Sequence, residues 1–168
     1  MLVHSSSVTK HTILLNSLDT AIGDYLDKIA RVLEVPWEGR MPGAALEQWS
    51  QINQVDEGTL KKDLDEWVLP RPLTAHNKRV LAFSFAGLRT SVETVLGREG
   101  ELAEDKKRVL GRAAQILAFN HVADKVVLGV EVDSTKKEED VENASNQDRT
   151  GTLVVSGGVA CNIAFRKM

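Results

Sequence analysis

The sequence predicts an α+β protein: mostly helical over residues 16–122, with about five helices, followed by a small antiparallel β region over 125–168. Three observations carry this. Residues 77–96 form the most hydrophobic long stretch, with Leu81, Phe85, Leu88, Val92 and Val95 at helical spacing. A second helical stripe follows after only Gly97–Gly100. The period then changes to two, with Val126, Leu128, Val130 and Val132 alternating along the chain.

Taken in order, residues 1–15 read as extended, since Val8, Thr9, Thr12 and Ile13 favour strand and nothing caps a helix; an arm lying on a neighbour is one expectation, a frayed end the other. A first helix is expected from Asn16 or Ser17, with Leu18, Ile22, Tyr25, Leu26, Ile29 and Val32 on one face and Pro36 as its stop. Pro42 opens a short second helix carrying Ala45, Leu46, Trp49 and Ile52. A third, near Thr59 to Trp67, places Leu60, Leu64 and Trp67 together.

The central helix over 77–96 is entered through Thr74 or Asn77. A fifth runs from Glu101 to about Val122, with Glu101, Glu104 and Asp105 at the positive end of its dipole, and the short connection makes these two antiparallel neighbours. Beyond them, 126–133 reads as a half-buried strand and 134–150 as a polar loop. Thr152–Ser156 and 159–165 read as strands turned or bulged at Gly157-Gly158. Cys161 should then be a small buried hydrophobe beside Val159, Ile163 and Phe165.

At 168 residues, 42% hydrophobic and 27% charged, the chain is sized and composed as one globular domain. No run is apolar for the roughly 18 residues of a membrane span. Met1–Lys10 lacks the apolar core of a secretory signal, and a single cysteine forms no internal disulfide, so a cytoplasmic location, or a particle assembled there, is expected without a membrane partner. Net charge is −3 but uneven: residues 1–70 carry 6 basic and 11 acidic side chains, 71–112 carry 9 and 5, and 113–168 carry 6 and 8. That basic island, with Arg71, Arg79, Lys107, Arg108 and Arg112, is the candidate nucleic-acid contact. Trp37, Trp49 and Trp67 are the candidate protein contact.

The chemistry-bearing residues do not assemble into a motif. The four histidines lack His-x-x-x-His spacing, so no metal site is expected, and no phosphate-binding glycine motif or cofactor loop is present. No catalytic residue is assigned. These features favour a non-enzymatic assembly subunit that associates with copies of itself, most concretely a viral or phage coat protein touching its genome through the basic island. The alternative is a small enzyme or ligand-binding domain with a pocket between helices and sheet, where Cys161, His121 and Asp124 would be the ionisable groups.

Overall fold

A computed structural model describes residues 1–51, 62, 67, 69–73, 80–139 and 151–167. Strands open the chain. β1 (Leu2–Ser5) and β2 (His11–Ser17) form an antiparallel hairpin, and β3 (Ala82–Phe83) pairs with β2 in parallel, giving the order β1-β2-β3. Helices α1 (Ile22–Val32) and α2 (Pro42–Trp49) lie between β2 and β3; α3 (Ala86–Glu99) and α4 (Glu104–Glu139) follow β3, then a 3-10 turn (Gly158–Cys161) and a single turn of helix, α5 (Ile163–Arg166). This corrects the expected helical bundle with C-terminal β: an N-terminal hairpin, joined by β3 into a mixed sheet, opens the fold, and the helices pack on it and on one another.

Each departure has a local cause. α1 starts at Ile22, with Ala21 as an N-cap that offers no side-chain hydrogen bond. The oxygens upstream that could have capped it are engaged elsewhere. Ser17 Oγ donates to Thr20 O at 2.6 Å, and the Asp19 carboxylate accepts from Ser84 Oγ (2.6 Å), Phe85 N (2.9 Å) and Ala86 N (3.3 Å). Asp19 thus caps α3 from a distance of more than sixty positions in sequence, placing a negative charge at the positive end of that helix. The expected central helix over 77–96 is accordingly shorter. Ala82 and Phe83 pair with Asn16 and Ser17, and the helix begins only where Asp19 satisfies its first amides. Phe85, Leu88, Val92 and Val95 are buried as their spacing requires.

The largest correction concerns 126–133, which are helical rather than extended. α4 runs for 36 residues, about 54 Å at 1.5 Å per residue. Its buried face steps through Ala114, Ala118, His121, Lys125 and Gly129, whereas Val127 and Val130 are 57% and 49% exposed. Small and polar residues make the inward face here, so apolar alternation points to the wrong side chains. Gly129 explains the choice. A Cβ there would collide with Leu15 Cδ1 and lie 3.0 Å from Leu2 Cδ2, so the helix seats directly on the β1–β2 hairpin.

The C-terminal strands are also replaced. Among the described residues, 151–156 belong to no sheet, Gly157 turns the chain at φ 102°, and Asn162 caps α5 by accepting from Ala164 N (3.0 Å) and Phe165 N (3.2 Å). Cys161 is exposed, not buried. Most of the expected third helix, the Thr74 and Asn77 caps, Arg79, and 140–150 of the polar loop lie outside the described residues.

Candidate functional site

Three segments far apart in sequence meet on one face of the molecule. α1 and α2 pack together through Leu26, Ile29, Ala45 and Leu46, all buried. Asp27 accepts a hydrogen bond from Gly43 N at 2.7 Å, tying α1 to the first turn of α2. Position 43 must be small: a Cβ would sit 3.0 Å from Asp27 Oδ1 and 3.2 Å from Leu26 Cβ. The Asp24 carboxylate, on the same helix, pairs with Lys28 at 2.6 Å. That hydrogen bond, with another from Thr20, holds its pKa below the ordinary carboxylate range.

The C-terminal segment docks on this pair. Ile163 N donates to Glu47 Oε1 on α2 (2.6 Å). A buried amide chain does the rest: Asn162 Nδ2 donates to Gln115 Oε1 (3.3 Å), and Gln115 Nε2 donates to Ser50 Oγ (2.7 Å). Val159 lies over Gly23, within van der Waals reach of where a Cβ would stand. The result is a glycine turn, Ser156-Gly157-Gly158, held beside the start of α1 with its own residues exposed. Gly157 takes φ 102°, ψ 173°, a backbone region open essentially to glycine alone. No atom lies within 4 Å of a Cβ built at Gly157 or Gly158, so a ligand can approach the main chain directly. An exposed glycine main chain of this kind offers backbone groups to a small molecule.

Elsewhere a concavity of about 250 Å³ lies along α4 between Arg71, Leu73, Asn120, His121, Asp124 and Lys125. His121 Nε2 accepts from Ser84 N at 3.2 Å, and its ring meets Phe85 edge-on at 5.6 Å. Burial, together with the Lys125 charge, lowers its pKa against the opposing pull of Asp124 and Asp19. Asp19 is also held low: partial burial pulls upward, but the hydrogen bonds from Ser84, Phe85, Thr20 and Ala86 outweigh it.

Both groups make stability pH-dependent, with the same sign. A histidine whose folded pKa lies below 6.5 favours the folded state when neutral, so its contribution is full above pH 6.5 and declines as pH falls below it. A carboxylate held below 3.8 contributes above that value and loses its contribution as pH falls through the folded pKa. Urea midpoints should therefore fall in two separate windows on acidification. His121→Gln, which keeps an acceptor for Ser84 N, should remove the upper one alone.

Of the basic residues singled out in the sequence, Lys107, Arg108 and Arg112 share the start of α4, and Arg71 lies apart from them. Lys107 pairs with Glu34 at 2.6 Å, and Arg108 is held by Glu104 and lies 5.4 Å over the Trp49 ring. Arg112 is exposed on the same end of α4. Arg71 faces His121 and Lys125, more than two helical turns further along, and Arg79 is outside the described residues. The tryptophans separate too: Trp67 is core, Trp49 is half-buried, and Trp37 is exposed beside Arg31. His121 and Asp124 share the concavity along α4, while Cys161 lies near the glycine turn. Asp27, Gly43, Glu47, Ser50, Gln115 and Asn162 carried no sequence signal, because each gains its role only from a distant partner. Among the described residues no group of three or more His, Cys, Asp or Glu could hold a metal ion, and no helix is long and apolar enough to cross a membrane.

The whole chain, residues 1–168, matches the family described as TsaD: tRNA N6-adenosine threonylcarbamoyltransferase. It is 35% identical over 171 residues to the mitochondrial tRNA N6-adenosine threonylcarbamoyltransferase of Schizosaccharomyces pombe, covering 100% of this chain and 36% of that protein. Proteins named tRNA N6-adenosine threonylcarbamoyltransferase from Bartonella bacilliformis and Thiobacillus denitrificans are 30% and 31% identical, over 99% and 96% of this chain and 40% and 38% of theirs. The chain thus spans well under half the length of these relatives. The expectation of a non-enzymatic structural or coat subunit is overturned, since the relatives are named as transferases, that is, as enzymes. On the match across its full length, the chain belongs to the TsaD family of tRNA N6-adenosine threonylcarbamoyltransferases.

Proposed function

We propose that this chain forms part of an enzyme that transfers a threonylcarbamoyl group to N6 of an adenosine in tRNA. The observation that carries this reading is the unbroken family match from residue 1 to residue 168. Such a transfer sets the exocyclic amine of adenine against a carbamoyl carbon. Negative charge develops on the carbonyl oxygen as N6 bonds to that carbon and sheds a proton. It collapses back as the bond from the carbon to the activating group of the threonylcarbamoyl donor breaks and that group leaves with the electron pair. Fixed backbone N–H groups aimed at that oxygen stabilise it without reorganising. The Gly157-Gly158 turn is this chain's contribution of that kind, and the start of α1 lies beside it where Val159 meets Gly23.

tRNA is the nucleic-acid partner in this reading. With a net charge of −3 the chain does not attract RNA as a whole, so contact depends on a local group. The start of α4 is the best placed, because Lys107, Arg108 and Arg112 lie within two turns and their carboxylate partners Glu34 and Glu104 are exposed and exchangeable with phosphate.

The test is a chimera in which residues 1–168 replace the matched segment of the Schizosaccharomyces pombe relative, assayed for threonylcarbamoyladenosine in tRNA. Transfer is expected, and a folded but inactive chimera would reject the reading. Arg108→Ala combined with Arg112→Ala should weaken tRNA binding and reduce the salt slope by about 2. An unchanged slope would remove the start of α4 from the contact.

A further inference from the structure

α4 turns different faces to different parts of the molecule. Gln115 and Phe119 meet the C-terminal segment through Asn162 and the Phe165 ring. Leu117, Asn120, Asp124 and Leu128 step along the opposite side at intervals of three and four residues, and there they line the concavity of about 250 Å³. Arg71 and Leu73 form its other wall. Leu73 is held at φ 57°, in the left-handed region that a branched side chain enters only at a cost. Strain of that kind collects at ligand clamps. Arg71 and Asp124 are both exposed and opposite in sign, and among the described residues no ion pair joins them. Leu73, Leu117 and Leu128 give the lining its apolar part, and a few polar groups set around apolar surface are what orient a small molecule.

We infer that this concavity binds a free α-amino acid with an apolar side chain, its carboxylate on Arg71, its ammonium on Asp124 and its side chain against Leu117 and Leu128. A guanidinium takes a carboxylate through two parallel N–H bonds, which fixes orientation as well as charge. Two neutral groups stand ready for the remaining lone pairs. His121 Nε2 accepts from Ser84 N, so the neutral ring keeps its proton on Nδ1 as a donor. The Asn120 amide, which both donates and accepts, is engaged by no hydrogen bond among the described residues. The buried Lys125 ammonium, donating to Val80 O at 2.8 Å, adds positive charge to the same lining. An anion without an amine would set its charge against Asp124, and an amine without a carboxylate would face Arg71 and Lys125. A zwitterion satisfies both signs at once. The inference stands apart from the reaction proposed above, since this face of α4 is turned away from the segment that carries the glycine turn.

Titration of the 168-residue chain with L-leucine, followed by NMR, tests this. The His121 ring and the α4 amides over 117–128 are the reporters, and saturable shifts confined to that face are expected at about millimolar ligand or below. Two further probes each lack one charge: isocaproate has no ammonium and isopentylamine no carboxylate. Each should bind at least about 10-fold more weakly than L-leucine, the loss expected for one charged hydrogen-bonding partner. Arg71→Gln and Asp124→Asn alter exposed positions, where folding tolerates substitution. Both variants should lower L-leucine affinity by about the same factor, with unchanged α1 amide shifts as the sign of an intact fold. No saturable shift with L-leucine would overturn the proposal. Isocaproate binding as tightly as L-leucine would overturn it as well, since that marks a site for anions alone. So would undiminished L-leucine binding by either folded variant, which would place the amino acid somewhere other than between these two charges.

Discussion

Phe85→Ala should cost about 3–5 kcal/mol of folding stability, the range for deleting a fully buried aromatic side chain from a core that cannot collapse into the space. The position earns the upper part of that range because three elements converge on one ring. Phe85 is 2% exposed, its centroid lies 5.7 Å from that of Tyr25 on α1 and 5.6 Å from that of His121 on α4, and its own backbone opens α3. Its amide is the group that Asp19 accepts at 2.9 Å, so loosening the ring also loosens the cap. Phe85→Leu keeps most of the volume and should cost less than about 1.5 kcal/mol. Urea titrations of the two variants at neutral pH check the pair. A loss under about 1 kcal/mol for Phe85→Ala would mean that the junction of sheet, α1 and α4 is not where the stability lies.

That junction shows why part of the fold was legible in the sequence and part was not. The inward faces of α1 and α3 could be read because large apolar residues mark them: Tyr25, Leu26 and Ile29 on one, Leu88, Val92 and Val95 on the other. Pro42 likewise sits at the start of α2. The second half of α4 could not be read, because the side chains it turns inward are Ala118, His121, Lys125 and Gly129. Lys125 is buried with its ammonium donating to Val80 O at 2.8 Å, and Gly129 is buried because the hairpin leaves no room for a Cβ. Neither reason has any expression in hydropathy, and the alternation of Val126, Leu128, Val130 and Val132 groups the exposed Val130 with half-buried neighbours.

The N-terminal hairpin fell on the border of legibility. Strand-forming residues over 1–15 were visible, but their partners were not. Leu15 packs against Gly129, and Ser17 pairs with Phe83, each a contact across more than sixty residues. The candidate site was less legible still. Gly157-Gly158 stood out as a turn, yet its place beside α1 depends on Asn162, Gln115 and Ser50, three amide and hydroxyl side chains that look like surface residues and are buried. Polar groups inside a protein need partners, and those partners are set by the fold.

Gly157→Ala should lower threonylcarbamoyl transfer by the chimera about 100-fold, the loss expected when a binding element is displaced by about 1 Å from its working position. The cause would be conformational and not steric. A Cβ at 157 meets nothing within 4 Å, but φ 102° with ψ 173° is a region that only glycine enters at low cost, and any other residue pays about 1–3 kcal/mol to stay there. The cheaper response is for the turn to swing out of that conformation, which moves the exposed amides and leaves the anchored residues behind it in place. Gly158→Ala is the control. It has the same open surroundings, and no positive φ is required of it, so a loss at 157 that greatly exceeds the loss at 158 would identify backbone conformation as the determinant. Stability separates this from misfolding: both variants should unfold within about 1–3 kcal/mol of the parent, since the strain is local and relieved by the swing. Equal, small losses at the two positions would show that the turn does not meet the substrate, and the transferase reading would then have to place the reacting group elsewhere on the α1–α2 face.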